Sequence, residues 1–307
     1  MYERIIHIMN KAEHFKSGFV AVVGRPNVGK STMINALIGD KIAIVSDKAQ
    51  TTRNRIICVY TDEEKQIVFM DTPGVHKPKH KLGEFMVDAA IESLKETEAV
   101  LFVVAGNEKR GPGDNFIIEQ LKRVKVPVFL VVNKIDTLQK EQVLEAIVSY
   151  QDAYPFAGVI PISAKNKENL SELLNVLGEH LPEGPQYFPE DMITDQPERL
   201  IISDIVREKI LLSTRDEIPH AIAVDVDEMK TRDDGTTYIR ATIYCERDSQ
   251  KGIIIGNKGA LLRKIGAEAR MDIQKLLATK VYLDLWVKVK KDWRNKSGML
   301  SELGYKK

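Results

Sequence analysis

A glycine-rich loop near the start of the chain has the residue types that bind phosphate. It precedes a helix-like stretch and follows an apolar run, as phosphate-binding loops do. Glycine lets backbone N–H groups approach phosphate oxygens, while the helix start and the Lys30 ammonium favour negative charge. Ser31 is placed to bind Mg²⁺ through its hydroxyl. We predict phosphate binding here, an ordinary glycine turn being the alternative, by Gly24, Arg25, Pro26, Asn27, Val28, Gly29, Lys30, Ser31 and Thr32.

A second segment, Asp71-Thr72-Pro73-Gly74, ends a strand-like run at residues 66–70. The Asp71 carboxylate is expected to reach Mg²⁺ through water, and the Gly74 N–H is expected to sense a terminal phosphate. By itself this tetrapeptide is more often a plain turn.

A third segment, Asn133-Lys134-Ile135-Asp136, follows the β-rich run at residues 126–132, at the ligand-facing edge of a parallel sheet. Asp136 can accept two hydrogen bonds, from N1–H and the exocyclic amine of guanine. Adenine lacks this pair of donors, a mismatch worth roughly 10⁴ to 10⁵ in selectivity at comparable polar sites. Alone, the segment could equally be a strand-to-helix turn.

A fourth segment, Ser163-Ala164-Lys165, could complete the pocket for the base. Ala164 would offer its N–H to guanine O6, and Lys165 would pack nearby. Four such segments in this order predict a site for GTP or GDP with Mg²⁺.

The elements around these segments alternate between strand-like and helix-like stretches, which predicts an α/β fold with a mostly parallel sheet and helices on both faces. Residues 55–60 and 66–70 instead predict an antiparallel hairpin. The other predicted strands are residues 19–23, 100–104, 126–132 and 158–162.

Length and composition are those of a globular chain with two domains. The 307 residues are 43% hydrophobic and 29% charged, and no apolar run is long enough for a membrane span. Charges throughout residues 1–16 predict no signal peptide. With only Cys58 and Cys245, we expect neither disulfides nor a zinc cluster, but a reducing cytoplasm. The sequence leaves the oligomeric state open, and a monomer is expected because no feature demands more. A proline-rich linker at residues 181–197 is expected to separate domains at residues 1–180 and 198–307.

The second half has a different pattern and a basic balance. A helix is predicted at residues 199–212, strands at 219–228, 237–245 and 281–289, and a long helical stretch before the last strand. That stretch contains Gly256-Asn257-Lys258-Gly259, and residues 247–296 hold 13 basic against 5 acidic residues. A Gly-x-x-Gly loop can hold the backbone of single-stranded RNA, although alone it is more often a helix break. We predict RNA contacts at Ile253, Ile254, Gly256, Asn257, Lys258 and Gly259.

Over nearly its whole length the chain resembles the Era family of bacterial GTPases. The resemblance includes the four segments above and Gln50-Thr-Thr-Arg53, Gly74-Val-His-Lys-Pro78, Leu181-Pro-Glu-Gly-Pro185 and the run from Glu246 to Gly256. It implies a Ras-like GTPase domain joined to a KH domain of the second topological type. It also implies binding near the 3′ end of small-subunit ribosomal RNA, a role in assembly of the small ribosomal subunit, and peripheral association with the inner face of the cell membrane.

The predicted catalytic apparatus differs from that of Ras. Ras-type enzymes place a glutamine after the Asp-x-x-Gly segment, whereas Val75 stands there in this chain, so backbone groups, an ion or a partner must position the attacking water. Asn27 matches the asparagine that coordinates K⁺ in some relatives, which suggests stimulation by K⁺; the alternative is a left-handed turn residue. We assign catalysis to Lys30, Thr52 and Gly74.

Two switch segments are expected, at residues 40–52 and 75–81. Either Thr51 or Thr52 should meet Mg²⁺ in the triphosphate state, and Thr52 is preferred because it directly precedes Arg53. Paired threonines at the start of a strand also occur without function. Trp286 and Trp293 are expected to be core or boundary aromatics.

The sequence leaves three functions open. The first is an RNA-assembly switch driven by GTP, which the Gly-x-x-Gly loop favours. The second is a membrane-associated signalling GTPase whose C-terminal domain binds a protein or lipid surface. The third is a constitutive RNA-binding scaffold that nucleotide only stabilises.

Overall fold

The computed structural model describes residues 14–46, 48, 51–75 and 80–305. It has two compact units: Met1–Ala43, Thr52–Lys77 and Met86–Asp195 form the first, and Ile44–Thr51, Pro78–Phe85 and Gln196–Lys307 form the second. The expectation for the chain start falls partly on residues 1–13, which lie outside the described residues. Residues 47, 49 and 50 of the predicted first switch and residues 76–79 of the second also lie outside them.

The first unit is built on a sheet whose strands are, in the described part of the chain, β1 (Lys16–Val23), β2 (Ile56–Thr61), β3 (Lys65–Asp71), β4 (Ala99–Ala105), β5 (Val128–Asn133) and β6 (Gly158–Pro161). Their order across the sheet is β2-β3-β1-β4-β5-β6. Only the β2–β3 pair is antiparallel among these strands. The predicted α/β class and the hairpin are confirmed.

Helices follow most of these strands, which explains why the central strands are buried on both faces. They are α1 (Lys30–Ile38), α2 (Lys81–Glu92), α3 (Pro112–Leu121), α4 (Lys140–Gln151) and α5 (Leu170–His180). Every residue of β4 and β5 is buried, as expected of parallel strands covered on both sides. Residues of α1 and α5 join one core cluster and residues of α3 join another. This rigid centre positions the loops at the carboxyl ends of β1 and β5.

The predicted linker is packed onto the first unit over much of its length. Gln66 of β3 is fully buried, and its Oε1 accepts hydrogen bonds from the N–H groups of Tyr187 (2.8 Å) and Phe188 (2.9 Å). Its Nε2 donates to the Phe188 carbonyl at 2.9 Å. Further along, the Thr194 hydroxyl donates to the carbonyl of Ile57 at 2.7 Å. Residues 187–194 are therefore held against the sheet edge and do not form a flexible linker.

The second unit contains a smaller three-stranded sheet. Its strands are β7 (Ala223–Thr231), β8 (Thr237–Cys245) and β9 (Val281–Val289), in the order β7-β8-β9. β7 runs antiparallel to β8, and β8 runs parallel to β9. The helices are α6 (Glu198–Ser213), α7 (Ile218–Ala221), α8 (Asp248–Ile255), α9 (Ala260–Leu277) and α10 (Ser297–Glu302). Apolar residues of α6, α8 and α9 share one core with alternate residues of the strands, so one face of the sheet is covered by helices.

Two expectations for the second unit differ from the structure. The strand predicted from Pro219 starts at Ala223, because proline fits the first turn of the short helix α7. As predicted, a loop at Gly256–Gly259 interrupts the long helical stretch, and a 3₁₀ turn at Asn257–Gly259 joins helices α8 and α9. Trp293 is fully buried, as expected, whereas Trp286 is 55% exposed. Trp286 is exposed because β9 alternates between the covered and the open face of the sheet.

Among the described helices, none combines the length and apolar character needed to cross a membrane. Cys58 in β2 and Cys245 in β8 are both buried free thiols.

Candidate functional site

The glycine-rich loop leads from β1 into the start of α1, as predicted. The first helical hydrogen bond runs from the Met33 N–H to the Gly29 carbonyl at 2.9 Å. The N–H groups of Lys30, Ser31 and Thr32 therefore precede the helical ladder, where they can be offered to an anion. Asn27 has a left-handed backbone, with φ 66°, so the turn conformation foreseen as its alternative role is present.

Lys30 is buried at the centre of this loop. Its Nζ donates to the carbonyls of Gly24 (3.2 Å) and Arg25 (3.1 Å). Burial lowers the pKa of Lys30 to about 8, and the nearby Asp71 carboxylate opposes this shift. A buried ammonium balanced by one carboxylate and two carbonyls is suited to receive a polyanion.

Ser31, Thr52 and Asp71 meet beside Lys30. Oδ2 of Asp71 accepts hydrogen bonds from the Ser31 hydroxyl (2.9 Å) and the Thr52 hydroxyl (3.2 Å), and the two hydroxyl oxygens are 2.9 Å apart. Oδ1 of Asp71 is buried and has no hydrogen-bond partner. Burial raises the pKa of Asp71, while Lys30 and the two hydroxyls work against that rise.

The structure distinguishes the two neighbouring threonines. Thr51 turns its hydroxyl to the Lys48 carbonyl at 2.7 Å, away from the cluster that Thr52 joins. Of the two, Thr52 is the residue brought to Ser31 and Asp71, in agreement with the preference stated from the sequence.

The Asp71–Gly74 segment is fastened to the glycine-rich loop. The Thr72 hydroxyl donates to the Val22 carbonyl at 2.6 Å, and the Val75 N–H donates to the Gly24 carbonyl at 3.1 Å. A side chain at Gly74 would stand 2.8 Å from the backbone of Pro26, so the close approach requires glycine. Val75 is buried and apolar, so its side chain cannot hold a water molecule.

Asn133 joins the predicted phosphate loop to the predicted base loops. Its Nδ2 donates to the Val28 carbonyl at 2.9 Å, and its Oδ1 accepts from the N–H groups of Lys134 (2.8 Å) and Ala164 (3.0 Å). The Ala164 N–H, expected to reach guanine O6, is thus donated to Asn133 in this structure. One buried amide thereby fixes three loops at the carboxyl edge of the sheet.

Asp136 lies on a 3₁₀ turn after β5, with its carboxylate exposed. The Ser163 hydroxyl donates to Oδ1 of Asp136 at 2.6 Å, and the Asn166 N–H donates to that hydroxyl at 3.1 Å. Lys165 is exposed beside this loop. The two predicted base-binding segments therefore meet, and a hydroxyl orients the carboxylate expected to read the base.

The Arg25 side chain is directed toward two carboxylates and not toward the predicted phosphate site. Its guanidinium donates to the buried carboxylate of Asp114 (2.9 Å) and to Glu108 (3.0 Å). Sequence reasoning missed these partners because they lie more than 80 residues away. It also missed Asn35, whose Oδ1 accepts from the N–H groups of Ile42 and Ala43 and fixes the chain as it leaves α1. In the sequence, an asparagine within an amphipathic helix cannot be told from an ordinary polar surface residue, so this role of Asn35 was not predictable.

The Gly-x-x-Gly loop of the second unit is a sharp link between α8 and α9. Gly256 has φ 72°, and a side chain there would stand 2.9 Å from the Leu261 backbone nitrogen. Lys258 also has positive φ and is exposed at the tip. Ile253 is exposed, but Ile254 is fully buried in the domain core. The side chain of Ile254, which the sequence predicts to contact RNA, therefore faces the domain core, because α8 turns it toward the sheet.

A cleft of about 470 Å³ adjoins this loop and runs along α9 and β9. Its floor is apolar, with Leu283 and Leu285 from alternate positions of β9. Arg263 and Arg270, about two turns apart on the same face of α9, border it. The complete lining is Gly259, Leu262, Arg263, Gly266, Ala267, Arg270, Leu283 and Leu285. Sequence reasoning did not identify these groove residues beyond Gly259; the seven-residue spacing of the two arginines was the available indication.

Comparison with known proteins finds a different family in each half of the chain. A family model described as 50S ribosome-binding GTPase matches residues 19–134, and a KH domain model matches residues 217–294. A crystal structure of Era in complex with MgGDPNP and nucleotides 1506–1542 of 16S ribosomal RNA is 43% identical and has a TM-score of 0.92. A tyrosine-to-alanine variant of Aquifex aeolicus Era bound to GDP and AlF₄⁻ is also 43% identical, with a TM-score of 0.91.

Each of these two matches covers 95% of this chain and 99% of the other chain. Both the α/β unit and the small mixed sheet are included in them. Identity at this level over both units goes beyond a shared fold, and the chain belongs to the Era family of GTPases.

Proposed function

We propose that this protein is a GTP-binding and GTP-hydrolysing switch that binds small-subunit ribosomal RNA near its 3′ end and assists assembly of the small ribosomal subunit. The observation that carries the proposal is the Asn133 amide, which ties the phosphate loop to both base loops and so assembles a single nucleotide cleft. The RNA partner rests on the Era relative whose complex contains 16S ribosomal RNA.

In the nucleotide cleft we assign phosphate binding to the glycine-rich loop and base binding to the loops after β5 and β6. The N–H groups at the start of α1 and the Lys30 ammonium receive the phosphates. Asp136 receives N1–H and the exocyclic amine of guanine. Thr72 and Pro73 contribute through the backbone, since the Thr72 side chain is bonded to Val22.

Ser31, Thr52 and Asp71 fit a site for Mg²⁺, with Asp71 acting through water. All three offer oxygen, which Mg²⁺ prefers, and Oδ1 of Asp71 is a buried acceptor without a hydrogen-bond partner. When bound, Mg²⁺ supplies positive charge that stabilises the charge developing on the phosphate oxygens. Thr52 would sense the triphosphate state from this position, and the Gly74 N–H would meet the terminal phosphate.

Hydrolysis in this chain must proceed without a glutamine at the position after Gly74, because the side chain there is the buried Val75. We propose that K⁺ held by Asn27 supplies charge that an arginine finger provides in other GTPases. Replacing Asn27→Gly keeps the left-handed turn and removes the side-chain oxygen. The variant should bind GTP normally but hydrolyse it at equal rates in potassium and sodium buffers. Retained stimulation by potassium would assign Asn27 to the turn alone.

In the second unit we propose that the α8–α9 loop and the adjoining groove hold single-stranded RNA. Lys258, Arg263 and Arg270 are placed to contact the RNA backbone, and the apolar floor of the groove can hold unstacked bases. The corresponding functional domains would be residues 1–180 and 198–307, joined by residues 181–197. The apolar groove bordered by these three cations makes RNA a better candidate partner than the protein or lipid surface bound by a membrane-associated signalling GTPase.

The test is to crosslink the purified protein to total cellular RNA with either a non-hydrolysable GTP analogue or GDP bound, and to map the attached sequences. We expect one site near the 3′ end of small-subunit ribosomal RNA, recovered in the triphosphate state only. Equal recovery with both nucleotides would support a constitutive RNA scaffold, and recovery of no ribosomal site would refute the proposal.

A further inference from the structure

The open face of the three-stranded sheet carries an aromatic cluster that the RNA groove does not use. Tyr282 and Trp286 of β9 are 53% and 55% exposed, and Tyr238 of β8 lies directly opposite Tyr282 in the sheet register. Leu283 and Leu285, which alternate with these residues in β9, turn to the other face and form the floor of the groove. We call Tyr238, Tyr282 and Trp286 the aromatic face.

These rings are held in fixed orientations. The rings of Tyr238 and Tyr282 are stacked, with centroids 5.9 Å apart and planes inclined by 17°. Oδ2 of Asp284 accepts hydrogen bonds from Nε1 of Trp286 (2.9 Å) and from the Tyr238 hydroxyl (3.3 Å). One carboxylate therefore positions two aromatic side chains on the solvent side of the sheet. Rings ordered in advance lose less conformational entropy when a flat ligand stacks on them.

Cationic side chains surround the aromatic face. The Arg232 guanidinium lies 4.9 Å from the ring centre of Tyr238 and 5.0 Å from that of Tyr282. Lys230 lies 5.5 Å from the Tyr238 ring and also contacts Glu228, and Arg240 lies 3.4 Å from the same carboxylate. Three cations thus stand near two carboxylates, Glu228 and Asp284. Flat rings bordered by guanidinium and ammonium groups suit a partner that is both aromatic and anionic.

The strand that carries most of this face is shared with the groove. β9 is at one edge of the described three-stranded sheet. Its Leu283 and Leu285 line the groove, while Asp284 and Trp286, each one residue further along, lie on the opposite face. Successive strand residues are separated by about 3.3 Å, so a nucleic-acid strand passing over this edge can reach both surfaces.

We propose that the aromatic face is a second surface for single-stranded RNA, where bases stack on Trp286 and Tyr282 while Arg232 and Lys230 contact phosphates. This surface goes beyond the groove of the proposed function and uses different residues. Base stacking on aromatic rings tolerates any sequence, so this surface extends the length of RNA bound and adds little base specificity.

Tryptophan fluorescence tests the proposal directly. The chain has two tryptophans, of which Trp293 is fully buried, so a base that stacks on Trp286 quenches one accessible indole. We would titrate the full-length protein with single-stranded oligouridylate of roughly 20 nucleotides and of about six nucleotides. The longer RNA should quench emission strongly. It should do so even in the Lys258→Glu variant, whose groove contact is weakened, and quenching should be absent in Trp286→Phe.

Affinities measured by anisotropy with labelled RNA separate the two surfaces. Trp286→Ala should weaken binding of the longer RNA about tenfold and leave binding of the shorter RNA within the groove unchanged. Trp286→Phe should retain most of the affinity, and Leu212→Ala, which removes a similarly exposed apolar side chain on α6, should have no effect.

Two results would overturn the second surface. One is the absence of Trp286 quenching together with unchanged affinity of Trp286→Ala for the longer RNA, whether or not the groove binds RNA. The other is normal RNA affinity of Trp286→Ala combined with loss of binding to purified small ribosomal subunits, which would identify a protein-facing surface.

Discussion

The Ser163 hydroxyl donates a 2.6 Å hydrogen bond to Oδ1 of Asp136 and accepts one from the Asn166 N–H at 3.1 Å. Ser163 is itself fully buried, so its orientation is fixed by the loop rather than by solvent. This relay holds an otherwise exposed carboxylate in one orientation. A carboxylate that must accept two parallel hydrogen bonds from a base benefits from such positioning.

Replacing Ser163→Ala removes this donor and should weaken GTP binding about fivefold, since a hydrogen bond of this kind contributes about 1 kcal/mol. Titration with a fluorescent GTP analogue measures the change. Ser149→Ala is the matched control, because the Ser149 hydroxyl donates to the Ala146 carbonyl of its own helix. Unchanged GTP affinity in Ser163→Ala would show that Asp136 needs no positioning.

Replacing Asn133→Ala should damage both stability and nucleotide binding. The amide makes three hydrogen bonds in a buried position, so the free energy of unfolding of the first unit should fall by about 2–4 kcal/mol. GTP affinity should fall more than about tenfold, because the phosphate and base loops lose their shared anchor. Urea unfolding and calorimetric titration measure the two effects.

Asn166→Ala, in the neighbouring loop, retains the backbone hydrogen bond to Ser163 and serves as the control. A stable Asn133→Ala protein with normal GTP affinity would contradict the proposal that this amide holds the loops of the nucleotide cleft together.

Replacing Gln66→Ala should release the segment that follows α5. The amide N–H groups of Tyr187 and Phe188 lose their acceptor, so their hydrogen exchange should accelerate roughly tenfold or more. Exchange measured by mass spectrometry on the peptide around residue 187 tests this. Gln151→Ala, at an exposed position, should leave exchange unchanged. Equally slow exchange in Gln66→Ala would mean that other contacts hold the segment.

Replacing Lys258→Glu should abolish binding of a short single-stranded RNA that occupies only the groove, while GTP affinity stays at the level of the unmodified protein, because the charge change places an anion at the loop tip. Lys264→Glu makes the same charge change on α9 outside the lining of the groove and should weaken RNA binding only modestly. Anisotropy with labelled RNA at several salt concentrations measures both. Equal losses in the two variants would indicate a general charge effect rather than a loop contact.

Much of the nucleotide site could be predicted from sequence because each motif is short and its geometry is local. Glycines, a lysine and a serine at fixed spacing imply a loop before a helix, and the structure places Ser31 and Lys30 at that loop. The sequence could not decide between Thr51 and Thr52, since adjacent residues differ only in the direction of their side chains.

What the sequence could not supply depends on residues distant along the chain. Arg25 belongs to the predicted phosphate loop, yet its guanidinium is bound by Asp114, which lies 89 residues away. Gln66 lies within an apparently ordinary strand, and the partners of its buried amide include Tyr187 and Phe188, which are 121 and 122 residues away. The exposure of Trp286 could not be predicted, because alternation along β9 alone does not reveal which face of the small sheet the described helices cover.

We propose that the Asp136 carboxylate selects guanine, and calorimetry with purified nucleotides tests this selection most directly. The unmodified protein should bind GTP far more tightly than ATP, by roughly 10⁴-fold or more. In Asp136→Asn, one hydrogen-bond acceptor becomes a donor, so GTP affinity should collapse and xanthosine triphosphate should become the preferred ligand. Equal binding of GTP and ATP by the unmodified protein, or an Asp136→Asn variant that still prefers GTP, would contradict the account.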